Sequence, residues 1–320
     1  MTYQPGHILD DPSSLPKLPP WIASTRAEIP ETVAFRSGAV MTVVDALVSD
    51  PGHGVPLKLL ANRLALKAAT ATSKLEGRMA QEADIRDAYH LTPPSEARGP
   101  DGDMLAFWRE VVRCRLNGRD WGAGLAALIG SDLETEIDGW LMGAAEHAQS
   151  HGALAGCVVV MRAVLELDDR AERIACLFSD VVLARSLNWR TVLPVTAQCL
   201  SKAMLRDLTA AGQRADLGVQ QSILKSVEDT IGLARALAQS SAALRAVAPK
   251  LRAKGAEAAV ALFLSENTVA PSTMLSPMIR GTALPMTDRA ARRFCDRLVE
   301  LGVARELTGR PTFQLYGIAP

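Results

Sequence analysis

Apolar residues in this chain recur at steps of three and four. Leu57, Leu60, Leu64, Ala68, Ala71 and Leu75 make one such stripe behind Pro56. Ile174, Leu177, Phe178, Val181 and Ala184 make another beneath Arg170, Glu172 and Arg173. An α-helix brings positions so spaced onto one face, whereas a strand would need alternation. Aromatic residues are only 4% of the 320, which removes much of the material from which sheets are built. The spacing predicts helices over 31–50, 82–89, 103–116, 132–149, 152–167, 169–187 and 217–247, with another opening at Pro56 and ending or bending at Gly77. A helical pattern continues over 188–208, where Pro194 falls near the first turn. The segment 93–102 reads as the clearest internal loop.

Proline sets the ends of this body. Pro5, Pro12, Pro16, Pro19, Pro20 and Pro30 crowd residues 1–30, and each removes a backbone donor and restricts its predecessor. That stretch reads as a proline-rich N-terminal strap, with Trp21 and Ile22 as its anchor. Pro249 stops the last long helix. The expected organisation is a strap (1–30), an α-helical domain (31–248) and a smaller C-terminal module (249–320). No period repeats along the chain, so a solenoid is not expected.

The C-terminal module has its own order of elements. A helix over 256–266 turns Val260, Phe263 and Leu264 inward. The stretch 271–285 is loop-rich, with a short helix around 272–275. Thr287 then suits an N-cap and Asp288 the positive end of a helix dipole. The helix after them buries Ala290 or Ala291, Phe294, Leu298 and Leu301, and Gly302 occupies the position that favours left-handed backbone. Strand-like runs at 303–307 and 312–316 flank a turn, Thr308-Gly309-Arg310-Pro311. Helix, loop, capped helix and hairpin is the winged-helix order. The expected fold class is therefore mainly α: a multi-helix bundle with a C-terminal winged-helix-like module, a helix-turn-helix plus β-hairpin.

Charge distribution adds a candidate surface. The chain carries 35 Lys or Arg and 35 Asp or Glu. From residue 245 onward, eleven basic residues face six acidic ones, a net of +5 that leaves −5 on the rest. A polyanion would therefore meet the C-terminal quarter. On the capped helix, Thr287, Arg289, Arg292 and Arg293 lie where helix-turn-helix proteins touch the major groove. Arg310 at the hairpin tip would reach phosphate, and Lys250 and Lys254 add a short basic stretch. The candidate DNA-binding set is thus Thr287, Arg289, Arg292, Arg293, Arg310, Lys250 and Lys254.

Other chemistry is weakly signalled. His147 and His151 would share a helix face, yet Gly152 marks a helix end where a cationic histidine suits the dipole, and no further metal ligands accompany them. Gly99-Pro100-Asp101-Gly102-Asp103 lacks the distal glutamate of a calcium loop. Gly118 to Gly124 lacks phosphate-loop spacing. Asp180 with Arg185 or Arg190 reads as a buried ion pair between helices. The cysteines (Cys114, Cys157, Cys176, Cys199 and Cys295) are odd in number and scattered, which points to buried free thiols in a reducing compartment. No catalytic residue, metal site or cofactor is expected. The first residues lack the pattern of a signal peptide, and no apolar run approaches the length of a membrane span, so a cytoplasmic location away from membranes is the expectation.

The tail from Asp288 to Gly317 and the segment Val247 to Gly255 resemble an α-proteobacterial family, many of whose members are plasmid-borne, grouped only as a domain of unknown function. The resemblance extends through 75–87 and 183–194. The last stretch is also similar to the winged helix appended to Fic-type adenylyl-transferase proteins. Those enzymes use a His-x-Phe-x-(Asp/Glu)-Gly-Asn-Gly-Arg loop, and none of His7, His53, His90, His147 and His151 begins one. Adenylyl transfer by that mechanism is not expected. Three readings stay open: a non-enzymatic accessory or regulatory protein that binds double-stranded DNA through its C-terminal module, an interaction scaffold that forms a homo-oligomer or docks a protein partner, and an enzyme with a site between helices.

Overall fold

Helices dominate the structure, a computed structural model that describes residues 14–93, 95–117, 121–129, 134–210, 212–251 and 253–319. Pro5, Pro12, His7, Gly118, Arg252 and the start of the helix expected at 132 lie outside the described residues. The order is α1 (Pro20–Ala23), α2 (Pro30–Ser49), α3 (Leu57–Leu75), α4 (Glu82–Leu91), α5 (Gly99–Val111), α6 (Trp121–Ile129), α7 (Glu134–His151), α8 (Ala153–Leu167), α9 (Glu172–Ser186), α10 (Lys202–Ala210), α11 (Gly212–Val247), α12 (Ala256–Phe263), α13 (Asp288–Glu300), β1 (Ala304–Glu306) and β2 (Tyr316–Ile318).

The central member is α11, whose 36 residues span about 54 Å at the usual rise. Val219, Ile223, Val227, Ala234 and Ala238 are buried along it. It packs on α2, α8 and α10, and it also meets β2. Helices α7, α8 and α9 pack on one another, and Gly156 sets how closely. A Cβ there would lie 2.7 Å from both the Ala144 carbonyl oxygen and the Ala148 Cβ, so the helices meet backbone to backbone.

Described strap residues are fastened to this frame. Arg235 donates to the carbonyls of Leu15 and Pro16, and Gln221 donates to that of Ala27. Arg36 joins Glu228 at 2.7 Å and also donates to the Thr25 carbonyl. Ile22 is buried whereas Trp21 stands exposed, so only half of the expected anchor docks. One helical turn begins at Pro20, where a missing N–H is no loss.

Two expected boundaries are corrected. The loop expected over 93–102 gives way to α5 at Gly99, because Pro100 fits a helix's first turn and Asp101 complements its dipole. Helix also does not continue through 188–201. Asn188 adopts φ of +54°, which ends α9. The following residues run as a buried extended segment and a 3-10 turn (Thr196–Cys199) before α10. Among the described residues Asp180 forms no ion pair. Its Oδ1 accepts from the backbone N–H groups of Val195 and Thr196, both at 2.8 Å, and that capture holds the segment out of helical geometry. Arg185 instead lies over the Trp121 ring at 4.7 Å.

All five cysteines are free. Contrary to the expectation that no apolar run approaches a membrane span, α2 is by length and composition long and apolar enough for one. Its Val33, Val40, Val44 and Leu47 are nevertheless buried in this structure, and α2 packs on α11.

Partly buried contacts continue across the boundary expected at 248/249. Arg63 on α3 donates to the Ile318 carbonyl at 2.9 Å and Asn62 to that of Ser265 at 2.7 Å. Arg109 on α5 joins Glu266 at 2.8 Å. The two strands are antiparallel, with Ala304 opposite Ile318 and Glu306 opposite Tyr316. Val269 bridges the other side of Tyr316.

Candidate nucleic-acid interface

Helix α13 begins where expected. The Thr287 Oγ1 accepts from the Ala290 N–H, and Gly302 closes the helix at φ of +71°. Ala291, Phe294, Cys295 and Leu298 are buried, with Phe294 against Phe263 of α12 at 6.3 Å between ring centroids. Those anchors fix the helix by one face and leave its arginines on the other. The helix also packs on the turn Pro271–Leu275 and on β1.

Between α13 and the 3-10 turn after α11 (Ala248–Lys250) lies a groove of about 810 Å³. Lys250, Arg289, Arg293 and Arg297 line it, over a floor that includes Leu251, Ala290 and Phe294. Arg289, Arg293 and Arg297 stand four apart, so one stripe of the helix carries all three. Among the described residues, Lys250, Arg289 and Arg293 form no ion pair, while Arg297 meets Glu300 at 2.8 Å. Arg297 was absent from the sequence-derived set, although its spacing from Arg293 would have placed it there.

The remaining expected residues diverge. Arg292 lies outside the groove and pairs with Asp288 at 2.9 Å. Lys254 is exposed beyond the groove's edge. Arg310 does not project freely, because Asp87 of α4 holds its guanidinium at 3.4 Å. The hairpin explains that placement. Glu306 accepts from the Thr308 and Gly309 N–H groups at 2.8 and 2.6 Å, which tightens the turn near β1. Phe313 then takes φ of +56°, so the second strand runs over Tyr316–Ile318 rather than 312–316.

A model of the family described as "Protein of unknown function (DUF1403)" matches residues 7–318. The chain belongs to this family. The match embraces both the helical body and the C-terminal module, so the groove is part of what the DUF1403 model describes. No curated protein matches the chain.

Elsewhere in this DUF1403 chain, a cavity of about 1140 Å³ opens between α2, α7, α8, α9 and α11. Its lining mixes apolar residues with Glu31, His147, His151, Arg185 and Asp216. The His147 and His151 rings stack at 4.3 Å at the end of α7, and no third metal-ligating residue groups with them among the described residues.

Proposed function

We propose that this chain is a non-enzymatic accessory or regulatory protein whose C-terminal module binds the phosphate backbone of double-stranded DNA. The observation that carries this reading is the α13 groove, where Lys250, Arg289 and Arg293 converge without carboxylate partners among the described residues. Uncompensated cations release counterions when they meet phosphate, which is the main source of sequence-independent affinity. A winged-helix assignment is supported by the order α12, Val269 bridge, Pro271–Leu275 turn, α13, β1 and β2, with β2 between its two partners. The same order is what the similarity to Fic-associated winged helices would imply. A cytoplasmic location accords with free, largely buried cysteines.

Anisotropy of a labelled generic duplex at low salt tests the groove. Replacing Arg289 and Arg293 by alanine is expected to weaken binding uniformly across sequences and to lower the salt slope by about two, one for each phosphate contact removed. Arg292→Ala, already neutralised by Asp288, should change little. Absence of binding by the unaltered protein, or equal losses from Arg292→Ala, would refute the reading.

A second reading, self-association, is favoured by a different surface. Trp21 and Phe35 are 62% and 52% exposed, and their rings lie 6.1 Å apart. Exposed aromatic pairs are characteristic of interface centres. On this reading sedimentation velocity should show a dimer that a Trp21→Ala, Phe35→Ala double variant converts to monomer. A monomeric unaltered protein would end it.

A further inference from the structure

Four arginines crowd His90 near the end of α4. Arg86 lies one turn earlier on the same helix, Arg98 just before α5, Arg109 on α5, and Arg280 in the segment leading to α13. Burial first, and then these four charges, push the imidazole down to about 3, so it is neutral near pH 7. Its Nε2 is buried without a hydrogen-bond partner. Arg109 Nε, Asn267 Nδ2 and Thr268 Oγ1 in the adjoining seam are likewise buried and unpartnered. Arg109 is 3% exposed, and Asn267 and Thr268 are 1% exposed each.

The Arg109 Nη1 lies 3.5 Å from Asn267 Oδ1, and the Arg98 and Arg109 guanidinium groups sit 4.9 and 5.2 Å from the Tyr89 ring centre. The neighbouring carboxylates are already engaged: Glu266 by Arg109, and Asp87 by Arg86 and Arg310. Arg98 and Arg280 are exposed at the rim and pair with no carboxylate among the described residues. Buried donors are almost always satisfied in folded proteins. Here the unsatisfied ones share a cationic field, which a tetrahedral oxyanion matches in both charge and acceptor capacity.

We propose that this seam is a binding site for the phosphate group of a small ligand, with Arg98 and Arg280 at its mouth and Arg109, Asn267 and Thr268 within. Because Asn267, Thr268 and Arg280 belong to the C-terminal segment, whereas Arg98 immediately precedes α5 and Arg109 lies on it, an occupied site clamps the two together. The site shares no residue with the α13 groove, so it stands or falls independently of nucleic-acid binding.

Calorimetry with inorganic phosphate and with a nucleoside monophosphate, on the full chain in phosphate-free buffer, tests this. Heat from both probes marks a site that the phosphate group alone can occupy, and heat from the monophosphate only marks a larger ligand. Either should be accompanied by a change in the His90 imidazole resonances. The Arg98→Gln, Arg280→Gln variant, altered only at exposed positions, should bind at least about tenfold more weakly. Thr268→Val, which removes an unpaired hydroxyl at nearly constant shape, should keep the unliganded fold and also weaken binding. No heat and no resonance change with either probe up to about 20 mM, or affinity unaffected by both variants, overturns the proposal.

Discussion

Asp180→Asn is expected to become steadily more stable relative to the unaltered protein as pH rises from about 4 to 7, by about 1.4 kcal/mol per pH unit. The cause lies in the burial of Asp180, which pushes its carboxyl up to about 7 despite the backbone donors of Thr196 and Val195. In the unfolded chain the same group titrates near 3.8. Between those values the native protein keeps a proton that the unfolded chain has released. Its contribution to stability is therefore complete below the unfolded value and is lost as pH rises through the native one. Asparagine keeps an acceptor for the two N–H groups and has no proton to lose. Urea denaturation of both proteins across that window reads the difference directly, and parallel stability profiles would contradict it. Asp180→Ala differs in kind, since both N–H groups lose their acceptor at a cost of about 1–3 kcal/mol each at any pH.

Trp108→Ala should lower stability by about 3–5 kcal/mol, the usual range for emptying a large aromatic site. Trp108 is fully buried on α5, and its Nε1 donates to the Thr72 Oγ1 at 2.9 Å. Thr72 in turn donates to the Ala68 carbonyl at 2.7 Å, so α3 and α5 are joined through a short polar chain inside an apolar core. Trp108→Phe separates the two contributions. It retains most of the volume and leaves Thr72 its own acceptor, so its cost should be about 1–2 kcal/mol. Guanidinium denaturation monitored by circular dichroism checks both. Equal losses for the two variants would mean that the indole hydrogen bond, not the packing of the ring, holds α5 on α3.

Local chemistry explains what could be read in advance. Pro56, Thr287 and Gly302 mark helix ends in the structure as their backbone preferences require. Asn188 belongs with them, since a residue tolerant of left-handed backbone after Ser186 and Leu187 was a legible stop. What was missed there was the destination of the chain that follows. Residues 188–201 retain an apolar pattern compatible with helix, but Asp180, well back in the preceding helix, takes two of their amide protons.

The candidate surface divides in the same way. Sequence alone determined that α13 would be an arginine-bearing amphipathic helix, because capping and apolar spacing act within a few residues. It also determined Arg292's carboxylate partner, four positions away on the same helix. Tertiary structure decided the fate of the others. Asp87 of α4 holds Arg310, whereas Lys250 comes to stand across from Arg289 and Arg293. Coulomb attraction acts through space over a few ångströms, so the partner of an arginine depends on which distant segment the packed core brings beside it.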